Sequence, residues 1–213
     1  MVKLIYIADP MCSWCYGFGP ELTTLVNGLQ DVPVDIVLGG LRPYTSEPMD
    51  AVQKTEILSH WRKVAESSGL PFVDTALNDE GFIYNTEPAC RAVVSARLLA
   101  PHLALDVFHA IQHGFYAEGL DTTRADVLAR LCVAVLNKNG VDVDEAAFMQ
   151  TWGTEETIAA THADFVQTQR WGVRGFPTLV LERGGELHLV SSGFTRTEQL
   201  VEQLQALVDQ SAT

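Results

Sequence analysis

Basic residues are scarce in this chain. Lys and Arg number 14 against 27 Asp and Glu, a net charge of −13 over 213 residues, which argues against a nucleic-acid backbone or an anionic membrane surface as partner. Long apolar runs are missing as well; no segment approaches the ~18–20 consecutive apolar residues of a membrane span. At the amino end a single Lys and the short run Leu4–Ala8 precede Asp9, less than the ~7–15-residue apolar core of a signal peptide. The expectation is a cytoplasmic protein whose strand structure begins almost at Met1. Cysteine is sparse, four residues in all, too few for a disulfide scaffold. No second C-x-x-C and no C-x-x-H is present to complete a tetrahedral zinc site, and His109 and His113, four apart on one helix face, have no third ligand in register. No metal is expected. There is no internal repeat and no low-complexity linker. What is present, 47% hydrophobic and 19% charged residues, suffices for one domain with an insertion and a full core.

Two of the cysteines are placed for chemistry. In Asp9-Pro10-Met11-Cys12-Ser13-Trp14-Cys15-Tyr16, an apolar run that reads as a strand leads into the C-x-x-C, and an apolar-periodic segment from Leu22 to Leu29 leads out. Cys12 then falls at a helix N-terminus, where unpaired backbone N–H groups and the macrodipole favour a thiolate. Cys15 lies one turn further on, within reach of a disulfide to Cys12. A redox pair is the reading. Cys90 and Cys132 sit alone in apolar, helix-like runs and read as core thiols, with a place near the site left open for Cys90, whose helix begins at the Asn85–Pro88 loop.

The remaining pattern places this motif. Lys3–Ala8 reads as a buried strand, and a helix is expected from about Cys15 to Leu29, with a kink or irregular start near Pro20. Val34–Leu38 is a second strand, closed by Gly39-Gly40. The unit is βαβ, its strands parallel with a right-handed crossover, so the loop Gly39–Pro43 should lie beside Cys12. From about Tyr44 to Arg170 the pattern is helical: about Ala51–Ser67, Asn85–Leu99, His102–Glu118, Arg124–Asn137, a short helix after a capping box at Asp142-x-x-Glu145, and a longer one from Thr154 to Trp171. Strand character returns at Pro177–Glu182 and Glu186–Ser191, a hairpin turning at Arg183-Gly184-Gly185. Thr195 or Thr197 should cap a last helix carrying Leu200, Leu204 and Leu207.

With Cys12-Ser13-Trp14-Cys15 after the first strand and Gly175-Phe176-Pro177-Thr178 before the third, the chain resembles the thioredoxin fold. The helical insert after the second strand makes it similar to the DsbA-like branch. The Asp9–Cys15 stretch, with further echoes at Asn85–Arg97 and Phe115–Asp121, resembles the cytoplasmic FrnE-type proteins, a predicted protein-disulfide isomerase branch. The resemblance implies an α/β fold, βαβ…αββα around a four-stranded mixed sheet. Residues 1–43 and 164–213 would form the thioredoxin-like domain and 44–163 the helical insert domain. It also implies roles: Cys12 the exposed nucleophile, Cys15 the buried resolving thiol, Pro177 a cis-proline facing the pair. Phe176 would offer backbone groups to an extended substrate as an added strand does, with Trp14 and Thr178 beside it. Ser13, Asp9, Arg42 and Arg174 are candidate supporting residues. Thioredoxin's buried acid has no evident counterpart, Glu21 being the nearest.

The activity implied is that of a thiol–disulfide oxidoreductase acting on disulfide-containing proteins, peptides or glutathione. No bound cofactor is expected, with glutathione as a candidate co-substrate. Oxidising relatives carry a histidine between the cysteines; Ser13-Trp14 here, and the carboxylate of Asp9, pull toward a reductase or isomerase poise. Two alternatives share the fold: a glutathione-dependent transferase or isomerase of the kappa or chromene-carboxylate isomerase type, which needs no resolving thiol, and a non-catalytic binding module or chaperone.

Overall fold

The computed structural model describes residues 2–29 and 32–209; the expected strand start at Met1 and the ends of the chain beyond 209 lie outside them. Strand β1 (Val2–Ala8) is the inner strand that its apolar sequence demands, buried from Leu4 onward. It pairs in parallel with β2 (Val34–Leu38), Leu4 against Val34 through Ala8 against Leu38. On its other side it runs antiparallel to β3 (Thr178–Arg183), which runs antiparallel to β4 (Glu186–Ser192). The sheet order is β2-β1-β3-β4. Gly184 and Gly185, with φ of 61° and 86°, supply the two left-handed residues of a tight hairpin turn. Val180 pairs with Leu189 and Leu179 with Ser191, so Val190 is an extra residue in β4, a bulge.

Helix α1 (Ser13–Gly28) is the crossover between β1 and β2. It begins two residues before the position expected from the sequence, and it continues through Pro20 without the expected irregular start. Where it crosses α2 (Ala51–Ser68), Gly17 permits the approach: a Cβ there would meet Val64 Cγ1 at 2.5 Å. Between β2 and β3 the regular elements among the described residues are all helical: α2, α3 (Glu87–Leu99), α4 (Ala104–Tyr116), α5 (Ala125–Lys138), α6 (Glu145–Trp152) and α7 (Glu155–Arg170), with two short 3-10 turns. The capping box expected at Asp142 does not form; Asp144, directly before the first helical residue, caps α6 by accepting from the Ala147 amide. A capping box does form at Asp50 and Gln53. Thr154 caps α7 as its sequence indicates.

Helix α8 (Thr197–Asp209) is capped from outside rather than by Thr195 or Thr197. The Thr197 amide and hydroxyl both donate to the Glu21 carboxylate of α1, at 2.8 and 2.6 Å, and Arg196 pairs with the same carboxylate at 2.8 Å. Glu21 is therefore committed to holding α8 on α1.

One face of the sheet (Leu4, Tyr6, Ala8, Leu38, Leu179, Leu181) joins Val93, Phe108 and Phe115 of the helical segment in a single core. The opposite face carries a smaller cluster of Ile5, Ile7 and Val180 beneath Trp171 and Val173. The outer edge of β2 is sealed by an ion pair between helices: Arg97 of α3 bonds Ile36 O and Asp164 of α7, each at 2.8 Å, and Asp164 accepts from the Leu38 amide. Helix α7 runs unbroken through residues 163 and 164, where the sequence suggested a domain limit. No helix among the described residues is long and apolar enough to cross a membrane.

Candidate active site

The end of β1 delivers the C-x-x-C to the mouth of α1. Cys12 is the N-cap residue, with extended backbone (φ −92°, ψ 118°) and no capping hydrogen bond from its side chain. Its amide donates to Asp9 O, and its carbonyl accepts from Tyr16 N, closing the first helical turn. The thiol is less open than the sequence suggested: Cys12 is only 6% exposed, and Cys15, one turn in, is 0% exposed. Enclosure comes from the helical segment, which contributes a wall that the motif alone does not reveal. All four cysteines are free thiols in this structure.

Opposite the first sulfur stands the loop before β3. The Phe176–Pro177 peptide bond is cis, and Cys12 Sγ approaches Phe176 O at 3.8 Å. A cavity of about 210 Å³ opens here, lined by Cys12, Ser13, Trp14, Leu41, Arg42, Ile57, His60, Trp61, Tyr84 and Phe176. The loop after β2 thus does lie beside Cys12, through Leu41 and Arg42. The Arg42 side chain sits over the Tyr84 ring at 5.4 Å. Trp14 is half-buried and packs on Phe194, ring centroids 5.8 Å apart, so its ring reaches the segment before α8.

Two of the candidates are not brought to the sulfur. Thr178 is buried and its hydroxyl donates to Gly175 O at 2.9 Å. Arg174 and Thr178 both line a separate cavity of about 530 Å³, together with Trp171, Leu187 and Leu189 on the other side of the sheet. Ile57, His60 and Trp61, by contrast, line the cleft without having been singled out by the sequence. They come from α2, where Ile57, Trp61 and Val64 form an ordinary apolar stripe; only hindsight distinguishes it from core packing.

Asp9 is the other departure from expectation. It is fully buried, with its carboxylate accepting from the Met11 amide at 2.8 Å, the Leu41 amide at 2.6 Å and Cys90 Sγ at 3.4 Å. Burial raises its pKa above the usual carboxylate range, and those hydrogen bonds oppose the rise. The Cys15 thiol is pushed well above the ordinary value, first by burial, then by its hydrogen bond to Cys12 and the Cys12 charge. The Asp9 amide works the other way, and the Asp9 charge adds to the rise. Tyr84, buried and raised chiefly by burial, donates its hydroxyl to Met11 O, and Tyr6 donates to Cys15 O at 3.4 Å. The motif backbone is thereby fixed from both flanks. At neutral pH Cys15 is therefore held as a protonated thiol, buried behind Cys12.

A family model for the DSBA-like thioredoxin domain matches residues 4–205, and the chain belongs to that family. Among solved structures, a candidate protein disulfide isomerase from Nitrosomonas europaea is 36% identical, superposes with a TM-score of 0.89 and covers 98% of both chains. The cytosolic disulfide reductase DsbM from Pseudomonas aeruginosa is 26% identical, with a TM-score of 0.79 and 98% and 99% of the two chains covered. The same protein with glutathione gives a TM-score of 0.77 at 26% identity, over 97% and 99%. A 2-hydroxychromene-2-carboxylate isomerase, 16% identical with a TM-score of 0.65 over 99% and 98%, shares the fold. No curated protein matches the sequence. The four-stranded mixed sheet and its helices are the DsbA-like thioredoxin fold.

Proposed function

We propose that this DsbA-like protein is a cytoplasmic thiol–disulfide oxidoreductase of the reductase or isomerase type, working through Cys12 and Cys15 without a resident cofactor. One observation carries the reading: Cys12, the N-cap residue of α1, stands in a cleft with its sulfur 3.8 Å from Phe176 O, and the wholly buried Cys15 lies one turn behind it. A nucleophile at the mouth and a protonated thiol beneath are what stepwise disulfide exchange requires.

The Cys12 thiolate attacks one sulfur of a substrate disulfide. The substrate S–S bond breaks, one half leaves as a thiolate, and the other half is held on Cys12 as a mixed disulfide. Cys15 loses its proton and attacks Cys12 Sγ. The Cys12–Cys15 disulfide forms, the second half leaves as a thiol, and the substrate has gained two electrons. Two glutathione molecules would return the pair to dithiols by the reverse exchange and leave as glutathione disulfide. The glutathione complex of DsbM supports that co-substrate, as do Arg42 and His60 beside the sulfur. Phe176 and Trp14 would hold the substrate segment, Pro177 its turn, and Ser13 the floor. The segment 44–163 would act as the insert domain that roofs the cleft through Ile57, His60 and Trp61.

Reduction of insulin with glutathione as donor tests the reading. Turnover by the wild type, lost in Cys12→Ser and at least tenfold lower in Cys15→Ser, is expected. Turnover unchanged by Cys15→Ser would assign the protein instead to single-sulfur glutathione chemistry. Absence of any insulin reduction by the wild type with glutathione as donor would leave a binding module.

A further inference from the structure

Cys90 reads from the sequence as a core thiol, yet it touches the redox centre through a carboxylate. It lies in the first turns of α3, wholly buried, its amide bonded to Thr86 O at 3.0 Å and its sulfur 3.4 Å from Asp9 Oδ2. Cys132, equally buried, has no such partner, and burial alone raises its thiol. The Asp9 carboxylate binds Met11 N on the motif side and Leu41 N on the cleft side. The Asp9 main chain binds Cys12 N and supports the Cys15 sulfur. Asp9 is thus shared by all parts of the centre, its main chain holding the cysteine pair and its side chain Met11, Leu41 and Cys90.

Resolution creates a difficulty at this place. A Cys15 thiolate and an Asp9 carboxylate would be two neighbouring buried anions, and such groups do not ionise independently. The titratable groups that feel the Asp9 charge are Cys15 of α1, Tyr84 ahead of α3, Cys90 of α3 and Tyr116 of α4; the N-cap Cys12, Glu87 of α3 and Arg42 act in turn on these neighbours. Glu87 is already paired with Arg91 at 2.9 Å. Among the described residues, Cys90 is the one thiol that donates directly to the carboxylate without being part of the pair.

We propose that Cys90 is a positioning residue for disulfide exchange: its S–H bond to Asp9 holds that carboxylate aimed and ionised, ready to take the Cys15 proton as Cys15 attacks the mixed disulfide on Cys12. The inference rests on the oxidoreductase reading above. In the step, the Cys15 S–H bond breaks and its proton passes to Asp9. The new S–S bond joins Cys15 to Cys12, and the substrate sulfur leaves as a thiolate that takes a proton from water. Asp9 returns its proton to solvent before the next cycle. Cys90 stays a thiol throughout.

The test isolates the resolving step. Oxidised glutathione is mixed with reduced wild type, Cys90→Ala and Cys90→Ser, and release of glutathione from Cys12 is followed in a single turnover from pH 5 to 9. Removing the donor disfavours ionised Asp9, so the midpoint for Cys90→Ala should move up by about one pH unit, a roughly tenfold slower release below it. Cys90→Ser keeps a donor and should stay near the wild-type midpoint. Coincident midpoints for wild type and Cys90→Ala would overturn the proposal, and so would equal shifts for Ala and Ser, which signify packing alone. Infrared titration of the wild type provides an independent check. The Cys90 S–H stretch should move as Asp9 titrates, and a band that ignores Asp9 overturns the proposal even if Cys90→Ala does not fold. Failure of glutathione to attach to Cys12 in any of the proteins would count against the parent reading; attachment followed by an unshifted release profile counts against Cys90 alone.

Discussion

The Phe176 ring fills the space that a side chain on Gly39 would need. A Cβ on Gly39 would lie 2.1 Å from both Cε1 and Cζ of that ring, closer than any real contact. The glycine that ends β2 is therefore what lets Phe176 seat its carbonyl over Cys12 Sγ.

Gly39→Ala should push the Phe176 loop away from the sulfur. Overpacking of this kind costs about 1–3 kcal/mol, so a thermal midpoint several degrees lower is expected for a domain of this size. Disulfide-reducing activity should fall by more than that stability loss explains at 25 °C. Calorimetry beside insulin reduction checks it, and full activity in a folded Gly39→Ala protein would show that the Phe176 carbonyl has no role.

Brief alkylation of the reduced protein at pH 7 should label Cys12 first. Cys15, Cys90 and Cys132 are buried and their thiols are raised mainly by burial, so they present little thiolate. Peptide mapping reads the order. Prior labelling of Cys15 would exchange the roles of the pair.

Alkaline pH should weaken the fold. Cys15, Cys90, Cys132, Tyr6, Tyr84 and Tyr116 are all raised, with burial the leading cause. Each such group contributes stability that is complete below its unfolded value, about 8.5 for Cys and about 10 for Tyr. That contribution is lost as pH rises from there through the higher folded value. Urea midpoints at pH 7.5 and 10 measure it; an unchanged midpoint would contradict the burial argument.

Glu21→Gln should loosen α8 by about 1 kcal/mol, the worth of a helix cap. Burial would raise the Glu21 carboxyl, but its bonds to Thr197 and Arg196 hold it below the usual range. A lowered carboxyl contributes stability above its unfolded value, about 4.3, and loses it as pH falls through the folded one. The difference between wild type and Glu21→Gln should therefore shrink on acidification below pH 4, as read by urea titrations; a difference constant down to pH 3 would contradict the cap.

Arg42→Gln should raise KM for glutathione disulfide about tenfold with little change in kcat, the size of one charged hydrogen bond. Added salt should weaken binding to the wild type more than to the variant. Equal salt dependence would remove Arg42 from the substrate site.

The position of the C-x-x-C and its scaffold could be read from the sequence because those depend on local signals. An apolar run ending at Cys12, a helix leaving Cys15, and strands bounded by Gly39-Gly40 and Gly184-Gly185 fix where the sulfurs stand. That Leu41 and Arg42 would flank Cys12 followed from the parallel crossover. What stayed hidden depends on distant packing. Ile57, His60 and Trp61 reach the cleft only because α2 crosses α1 at Gly17, and no spacing in the chain encodes that crossing. Asp9 could be placed beside the motif, but its contact with Cys90, 81 residues away, could not. Thr178 and Arg174 failed as cleft residues for a related reason: neighbours of Pro177 in sequence, they turn to the other side of the sheet.

Mass mapping of Cys15→Ser after exposure to oxidised glutathione tests the central claim most directly. The account predicts one glutathione per chain, held on Cys12, persistent in Cys15→Ser and transient in the wild type, which should end with a Cys12–Cys15 disulfide. No adduct on Cys12, or adducts confined to Cys90 or Cys132, would contradict it.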